Sequence, residues 1–147
     1  MRAIVQRVAT AEVRVQGRTA GKIGRGFVVL LGVGRGDTEA DADFILDRVI
    51  GLRVFADAAG KMNLALRAVG GELLVVSQFT LHADTSQRRP SFTAAAPPDE
   101  ARRLYEYFLS RARLHDVKVE EGEFGAHMEL ALVNDGPVTI ILDSRLR

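Results

Sequence analysis

The segment Phe27-Val28-Val29-Leu30-Leu31-Gly32-Val33 constrains this chain most, because none of its side chains is polar. An extended chain of that composition can leave neither face in water. It needs cover on both sides, as a central strand between layers has. Glu72 to Phe79 repeats the demand through Leu73-Leu74-Val75-Val76 and reads as a second central strand. Met1 to Ala9 and Glu12 to Gln16 instead alternate apolar and polar residues, as half-buried strands do. Gly17-Arg18 is a short turn, and Thr19 to Ile23 returns as the other arm of a hairpin.

Cover for the central strands comes from two predicted helices. Asp37-Thr38-Glu39 supplies a capping residue and acids for a first turn, and the helix runs to about Leu52. Ile45, Val49 and Leu52 share one face, with Leu46 and Ile50 beside them. Pro97-Pro98-Asp99-Glu100 opens a second helix, whose stripe is Ala101, Leu104, Tyr105, Phe108, Leu109 and Ala112. Between the helices, Asp57 to Gly60 is a loop, and His82 to Pro98 is a long one of the kind that often carries function. Three strand-like segments close the chain: Val117 to Glu121, His127 to Val133 and Val138 to Leu142. The expectation is one mixed α/β domain over residues 1–147, with mostly antiparallel strands and two or more helices on one side.

Composition narrows the chemistry. No apolar run reaches the ~20 residues of a membrane span. The N-terminus alternates rather than forming the apolar core of a signal peptide, so a mature chain starting near Met1 and a cytoplasmic location are expected. Cysteine is absent, which removes disulfides, thiolate nucleophiles and zinc–cysteine sites. The net charge of +1 argues for no particular polyanion. All but Lys22, Lys61 and Lys118 of the 20 basic residues are Arg, however, whose planar fork suits phosphate.

His82, His115 and His127 match no ligand spacing, so no metal is expected and no cofactor is implied. Gly32-Val33-Gly34-Arg35-Gly36 lacks the Lys-Ser/Thr pair of a phosphate loop and reads as a plain connection. Ser77-Gln78-Phe79-Thr80-Leu81 ends an apolar run with two hydroxyls and an amide. A nucleophilic hydroxyl needs a base within reach, and His82 is the only titratable neighbour before Asp84. The residues thus support no Ser-His-Asp triad; oriented N–H groups and the substrate's own groups are the better source of catalysis. Arg88-Arg89-Pro90-Ser91-Phe92 pairs two cations with an aromatic, which suits a phosphate backbone and a stacked base as well as it suits a solvated loop. Arg102, Arg103, Arg111 and Arg113 either extend that positive surface or form the wet face of the second helix. Asn134-Asp135-Gly136-Pro137-Val138-Thr139 carries a hairpin signal, and from spacing alone its Gly-Pro bond is expected to be trans.

These segments, taken in order, resemble the D-aminoacyl-tRNA deacylases. The resemblance rests on Gln6-Arg7-Val8, Gly60-Lys61-Met62-Asn63-Leu64, Ser77-Gln78-Phe79-Thr80-Leu81, Arg89-Pro90-Ser91-Phe92, Phe124-Gly125-Ala126 with Met128, and Asn134 to Thr139. It implies a three-layer, barrel-like α/β fold and a homodimer with active sites at the subunit interface. It implies hydrolysis of the ester joining a D-amino acid to the terminal ribose of tRNA, with D-aminoacyl-tRNA and glycyl-tRNA as substrates. Gly136 and Pro137 would form a cis peptide that enters the partner's site and rejects L side chains. Arg7 would hold that loop. Ser77, Gln78, Phe79 and Thr80 would line the ester and the terminal adenosine, with Thr80 either a nucleophile or a bystander to water helped by the ribose 2′-hydroxyl. Phe124, Gly125, Ala126 and Met128 would pack around the adenine, and Arg88 and Arg89 would touch the tRNA. Three positions depart from the pattern: the Asp84–Arg89 loop is one residue shorter and lacks a Gly, His127 stands where Asp is common, and Ala65 where Ser is frequent. A non-catalytic tRNA-binding module on the same fold is the competing expectation.

Overall fold

A computed structural model describes residues 1–147. Its strands are β1 (Arg2–Val15), β2 (Arg18–Ile23), β3 (Gly26–Gly32), β4 (Phe55–Ala56), β5 (Met62–Leu64), β6 (Glu72–Ser77), β7 (Val119–Glu121) and β8 (Glu129–Asp143). Two α-helices, α1 (Glu39–Gly51) and α2 (Pro98–Ala112), pack together on one side. Six strands form one sheet in the order β2-β1-β3-β6-β7, with β8 added to β1. The sheet curls until β2 meets β7, and a Cβ on Gly21 would lie 2.6 Å from the Glu121 carbonyl oxygen. The result is a nearly closed barrel. Most pairings are antiparallel; β3–β6 and β6–β7 are parallel. No helix is long and apolar enough to cross a membrane.

The apolar runs are covered as expected. Phe27, Val29 and Leu31 of β3, with Leu73 and Val75 of β6, face a core shared with both helices. Val28, Leu74 and Val76 point the other way, into a smaller core inside the barrel with Val8, Ala11, Val13 and Ile23. Because side chains alternate along a strand, an uninterrupted apolar run is what two cores demand.

Along β1 and β8 the structure differs from the sequence reading in three places. The segments expected as two strands at the N-terminus are one, β1. Its Cα register with β8 shifts between Val8↔Asn134 and Thr10↔Val133, so Ala9 is an extra residue in the ladder. That bulge exchanges the faces of the strand: Ala3 and Val5 serve the helix-side core, Ala11 and Val13 the barrel core. The turn after β1 is Gln16-Gly17, both at positive φ, rather than Gly17-Arg18. At the C-terminus, the hairpin signal at Asn134 to Pro137 does not make a hairpin. His127–Val133 and Val138–Leu142 belong to the single strand β8, and both halves pair with β1.

The α1 N-terminus is closed by a capping box, in which Asp41 Oδ2 accepts from the Thr38 N–H at 2.8 Å. Burial by itself raises the Asp41 carboxyl. Hydrogen bonds from the Thr38 N–H, the Ser144 hydroxyl and the Thr38 hydroxyl outweigh it and lower the group from 3.8 to about 2. A carboxyl lowered on folding stabilises the protein above its unfolded value, and that stability is lost as pH falls through the folded value. Asp41→Asn is therefore expected to flatten the loss of thermal stability between pH about 4 and about 2. Melting curves of parent and variant across that range test it; parallel acid limbs would refute it.

Candidate active site

Strand β6 stops at Ser77, two residues earlier than its apolar run suggested. Gln78 still donates its N–H to the Leu31 carbonyl at 2.8 Å, but its φ/ψ of −142°/76° leaves the extended path. A 3-10 turn, Phe79–His82, follows, closed by Leu81 N–H to Gln78 O at 3.2 Å. The N–H groups of Phe79 and Thr80 precede that first bond and have no acceptor within the turn. The turn is anchored by His82, which is buried and whose Nε2–H donates to the Gly32 carbonyl at 3.0 Å. Gly34 leaves room for that ring, since a Cβ there would lie 2.8 Å from His82 Cε1. His82 is thus committed to the backbone beneath the turn and serves no hydroxyl as a base.

Beside the turn opens a cavity of about 640 Å³. Ser77, Gln78 and Phe79 form one wall; Phe124, Gly125, Ala126 and Met128 form another. These two segments are far apart in sequence. Parallel pairing joins them: β6 and β7 run side by side with Val75 opposite Glu121, and Gly122 N–H donates to Val75 O at 3.2 Å. The chain leaving β7 is thereby delivered to the end of β6. Phe79 meets Phe92 edge to face at 5.2 Å, and Phe124 lies 5.8 Å from Tyr105 under the guanidinium of Arg102 at 4.7 Å. Tyr105 is no acid or base for the site. Its hydroxyl donates to Val75 O at 2.8 Å, and burial pushes its phenol far up.

Thr80 is not on the cavity wall; its Oγ1 accepts from Gln78 Nε2. No carboxylate or imidazole bonds it. Gly136, Pro137 and Arg7 also lie off the wall. They form a separate feature: between Gln6↔Thr139 and Val8↔Asn134, β1 passes only Arg7 while β8 passes Asp135 to Val138. The extra residues loop out. Arg7 ties them down, with Nε donating to the Asp135 carbonyl at 2.8 Å and Nη1 donating to the Val54 carbonyl. The Gly136–Pro137 peptide is cis, against the expectation from spacing.

Arg88 and Arg89 are exposed in a loop closed by the Asp84–Ser91 pair, which leads directly to Phe92 on the cavity wall. The arginines of α2 and its C-cap are not a free positive surface: Arg102 pairs with Glu106 at 3.9 Å, Arg103 with Glu39 at 3.1 Å, Arg111 with Asp43 at 3.4 Å and the C-cap Arg113 with Glu121 at 2.5 Å. Sequence reasoning missed Val33, Arg35, Ala95 and Ala96 on the cavity wall, where His127 also lies. Gly34 bridges to Ala95, which makes the Gly-rich segment part of the site rather than a plain connection. Its glycines were the available signal.

Comparison with known proteins decides the lineage. The profile of the family described as D-Tyr-tRNA(Tyr) deacylase matches residues 4–143. The chain belongs to that family. It is 54% identical to the D-aminoacyl-tRNA deacylase of Thermosipho africanus, over 99% of this chain and 98% of that protein. It is 58% identical to the D-aminoacyl-tRNA deacylase of Burkholderia cenocepacia, over 99% of each. Among solved structures, the c-Myc DNA Unwinding Element Binding Protein superposes with a TM-score of 0.93 at 39% identity, covering 97% of this chain and 98% of that one. A probable eukaryotic D-amino acid tRNA deacylase shares the fold with a TM-score of 0.81 at 17% identity, over 96% and 97% of the two chains. Membership of the deacylase family makes the protein a hydrolase of ester bonds.

Proposed function

We infer that this protein hydrolyses the ester between a D-amino acid and the terminal ribose of tRNA in the cytoplasm. It releases free D-amino acid and tRNA and spares the L-ester. The observation that carries this reading is the shared cavity, where the wall from Ser77 to Phe79 meets the wall from Phe124 to Met128. An aromatic-rimmed pocket of that size suits an adenosine bearing an aminoacyl group.

Water is the nucleophile, helped by the ribose 2′-hydroxyl. The N–H groups of Phe79 and Thr80 steady the developing oxyanion, a role worth orders of magnitude in rate where donors are held in advance. Thr80 lacks a base, so it supports Gln78 rather than attacking the ester. Chirality is read by backbone. The looped Gly136-Pro137 of one subunit reaches the cavity of its partner and fills the space an L side chain would need, which is discrimination by clash. Glycine presents no side chain to reject, so glycyl-tRNA is also a substrate. Two features support a homodimer. The loop lies away from its own cavity, and β8 pairs only with β1 while exposing Leu132, Val133 and Ile141. An edge strand with an apolar face is normally covered.

The test is deacylation of matched D-tyrosyl-, L-tyrosyl- and glycyl-tRNA. Loss of the D and glycyl esters with the L-ester intact is expected. Thr80→Ala is expected to keep kcat within about tenfold, whereas loss of a true nucleophile costs far more. No turnover of any ester by folded protein would replace the enzyme with the binding-module reading.

A further inference from the structure

A second cavity, of about 320 Å³, adjoins the first and shares Ala126 and His127 with it. Its volume is at the small end of ligand sites, which run about 300–1,000 Å³. The walls are polar where those of the first are apolar. Arg14, Gln16, Arg18, Glu123, His127 and Glu129 surround it. The backbone fixes this arrangement. Arg14 of β1 stands opposite Glu129 of β8 in the antiparallel ladder. Gln16 and Gly17, at φ 51° and 78°, make the two-residue turn that carries Arg18 back beside them. Arg18 Nη2 then reaches Glu123 Oε2 at 2.6 Å, tying the hairpin to the segment that leads into Ala126.

The chemistry is not that of a phosphate site. Two guanidinium groups are balanced by two carboxylates, and Arg14 is further paired with Glu12 at 3.2 Å. A charge-balanced cavity with half-exposed donors beside acceptors suits a nucleobase that presents both. Cytosine fits it: a carboxylate accepts from its exocyclic amino group, and a guanidinium donates to its ring nitrogen and carbonyl.

We propose that this cavity holds the penultimate nucleotide of the tRNA acceptor end, the cytidine of the terminal CCA, while the adenosine occupies the first cavity. The proposal rests on the deacylase reading above, in which the adenine lies against Phe124 to Met128. An RNA strand leaving that position passes Ala126 and His127 and enters the second cavity. Glu129 is the acceptor for the cytosine amino group, and Arg14 and Arg18 donate to its other polar edge.

The experiment compares three substrates: D-tyrosyl-tRNA, the same tRNA with its penultimate cytidine changed to uridine, and the D-tyrosyl ester of adenosine, which has no preceding nucleotide. With wild-type protein, the uridine change is expected to lower kcat/KM about tenfold through KM, because uracil offers a carbonyl where Glu129 needs a donor. Glu129→Gln, whose amide can donate or accept, is expected to bring the two tRNAs within about twofold of each other. The same variant should leave hydrolysis of the adenosine ester unchanged, with an unchanged melting temperature. Equal treatment of cytidine and uridine by the wild type overturns the subsite. So does an equal fall on tRNA and adenosine ester in the variant, which would place Glu129 in the chemistry of the first cavity. Wild-type protein that cleaves none of the three overturns the deacylase reading itself, and the subsite with it.

Discussion

Replacing Gly136 and Pro137 together by alanine is expected to admit L-aminoacyl-tRNA, raising the ratio of L to D kcat/KM about a hundredfold, the scale of discrimination by a few steric contacts. The loop is shaped by its packing. Gly136 has φ +141°, and a Cβ there would lie 2.7 Å from the Val138 nitrogen, 3.0 Å from Val138 Cγ2 and 3.3 Å from Arg7 Nη2. A side chain at this position must therefore move backbone or displace the arginine that anchors Asp135. In the proposed complex, either motion would withdraw the loop from the space an L side chain would occupy. Turnover of the D-ester is expected to fall as well, because the same loop lines the substrate's site in the proposed complex. Parallel assays of D- and L-tyrosyl-tRNA read both effects. A double variant that still rejects the L-ester completely removes the loop from chiral selection. Sedimentation checks the cross-subunit part: a monomer at assay concentration that retains full chiral selectivity excludes it.

The largest stability effect is expected at Gly26. It opens β3 opposite Glu72 of β6, and a Cβ there would lie 1.9 Å from the Glu72 carbonyl oxygen and 2.5 Å from its nitrogen. Both are backbone atoms of the parallel pair that separates the two cores. No rotamer change relieves the contact; β3 and β6 must separate at one end. Such overpacking against backbone is expected to cost ~4 kcal/mol. For a chain of this size that lowers the melting temperature by about 10 °C or more. Thermal and urea unfolding of Gly26→Ala measure it, and a shift under about 2 °C would show that the pair yields more easily than its packing implies. Gly17 is the control: nothing lies within 4 Å of a Cβ there, so alanine at that turn meets only the strain of its φ of 78°.

Several features were legible in the sequence because their causes are local or periodic. The apolar run at Phe27 reads as a doubly covered strand, and its residues divide between the two cores. The acids and hydroxyl before Ala40, and the prolines before Asp99, mark the starts of α1 and α2 within a residue or two. The amphipathic stripe of α2 is the buried set Ala101, Leu104, Tyr105, Phe108, Leu109 and Ala112. The signature segments, read together, identified the family that the comparisons show.

Other features depend on partners that no local pattern names. Asn134-Asp135-Gly136 has the composition of a hairpin turn, yet β1 is long enough to pair with the residues on both sides of it, so the signal becomes an outward loop in one strand. Ala9 carries no mark of a bulge; it is one only because β8 supplies one residue fewer opposite it. His82 looked like the nearest base to Thr80, but the glycines at 32 and 34 open a slot that takes its ring beneath the turn. The amino-acid sequence by itself determined the central strands β3 and β6, the two helices and the stripe that α2 buries, since those follow from side-chain periodicity and local capping, while its signature segments marked the family by resemblance. Only the tertiary structure decided that β6 and β7 run parallel, that Ser77 to Phe79 therefore meets Phe124 to Met128, and that a polar cavity opens beyond them, because strand partners are chosen by packing between residues distant along the chain.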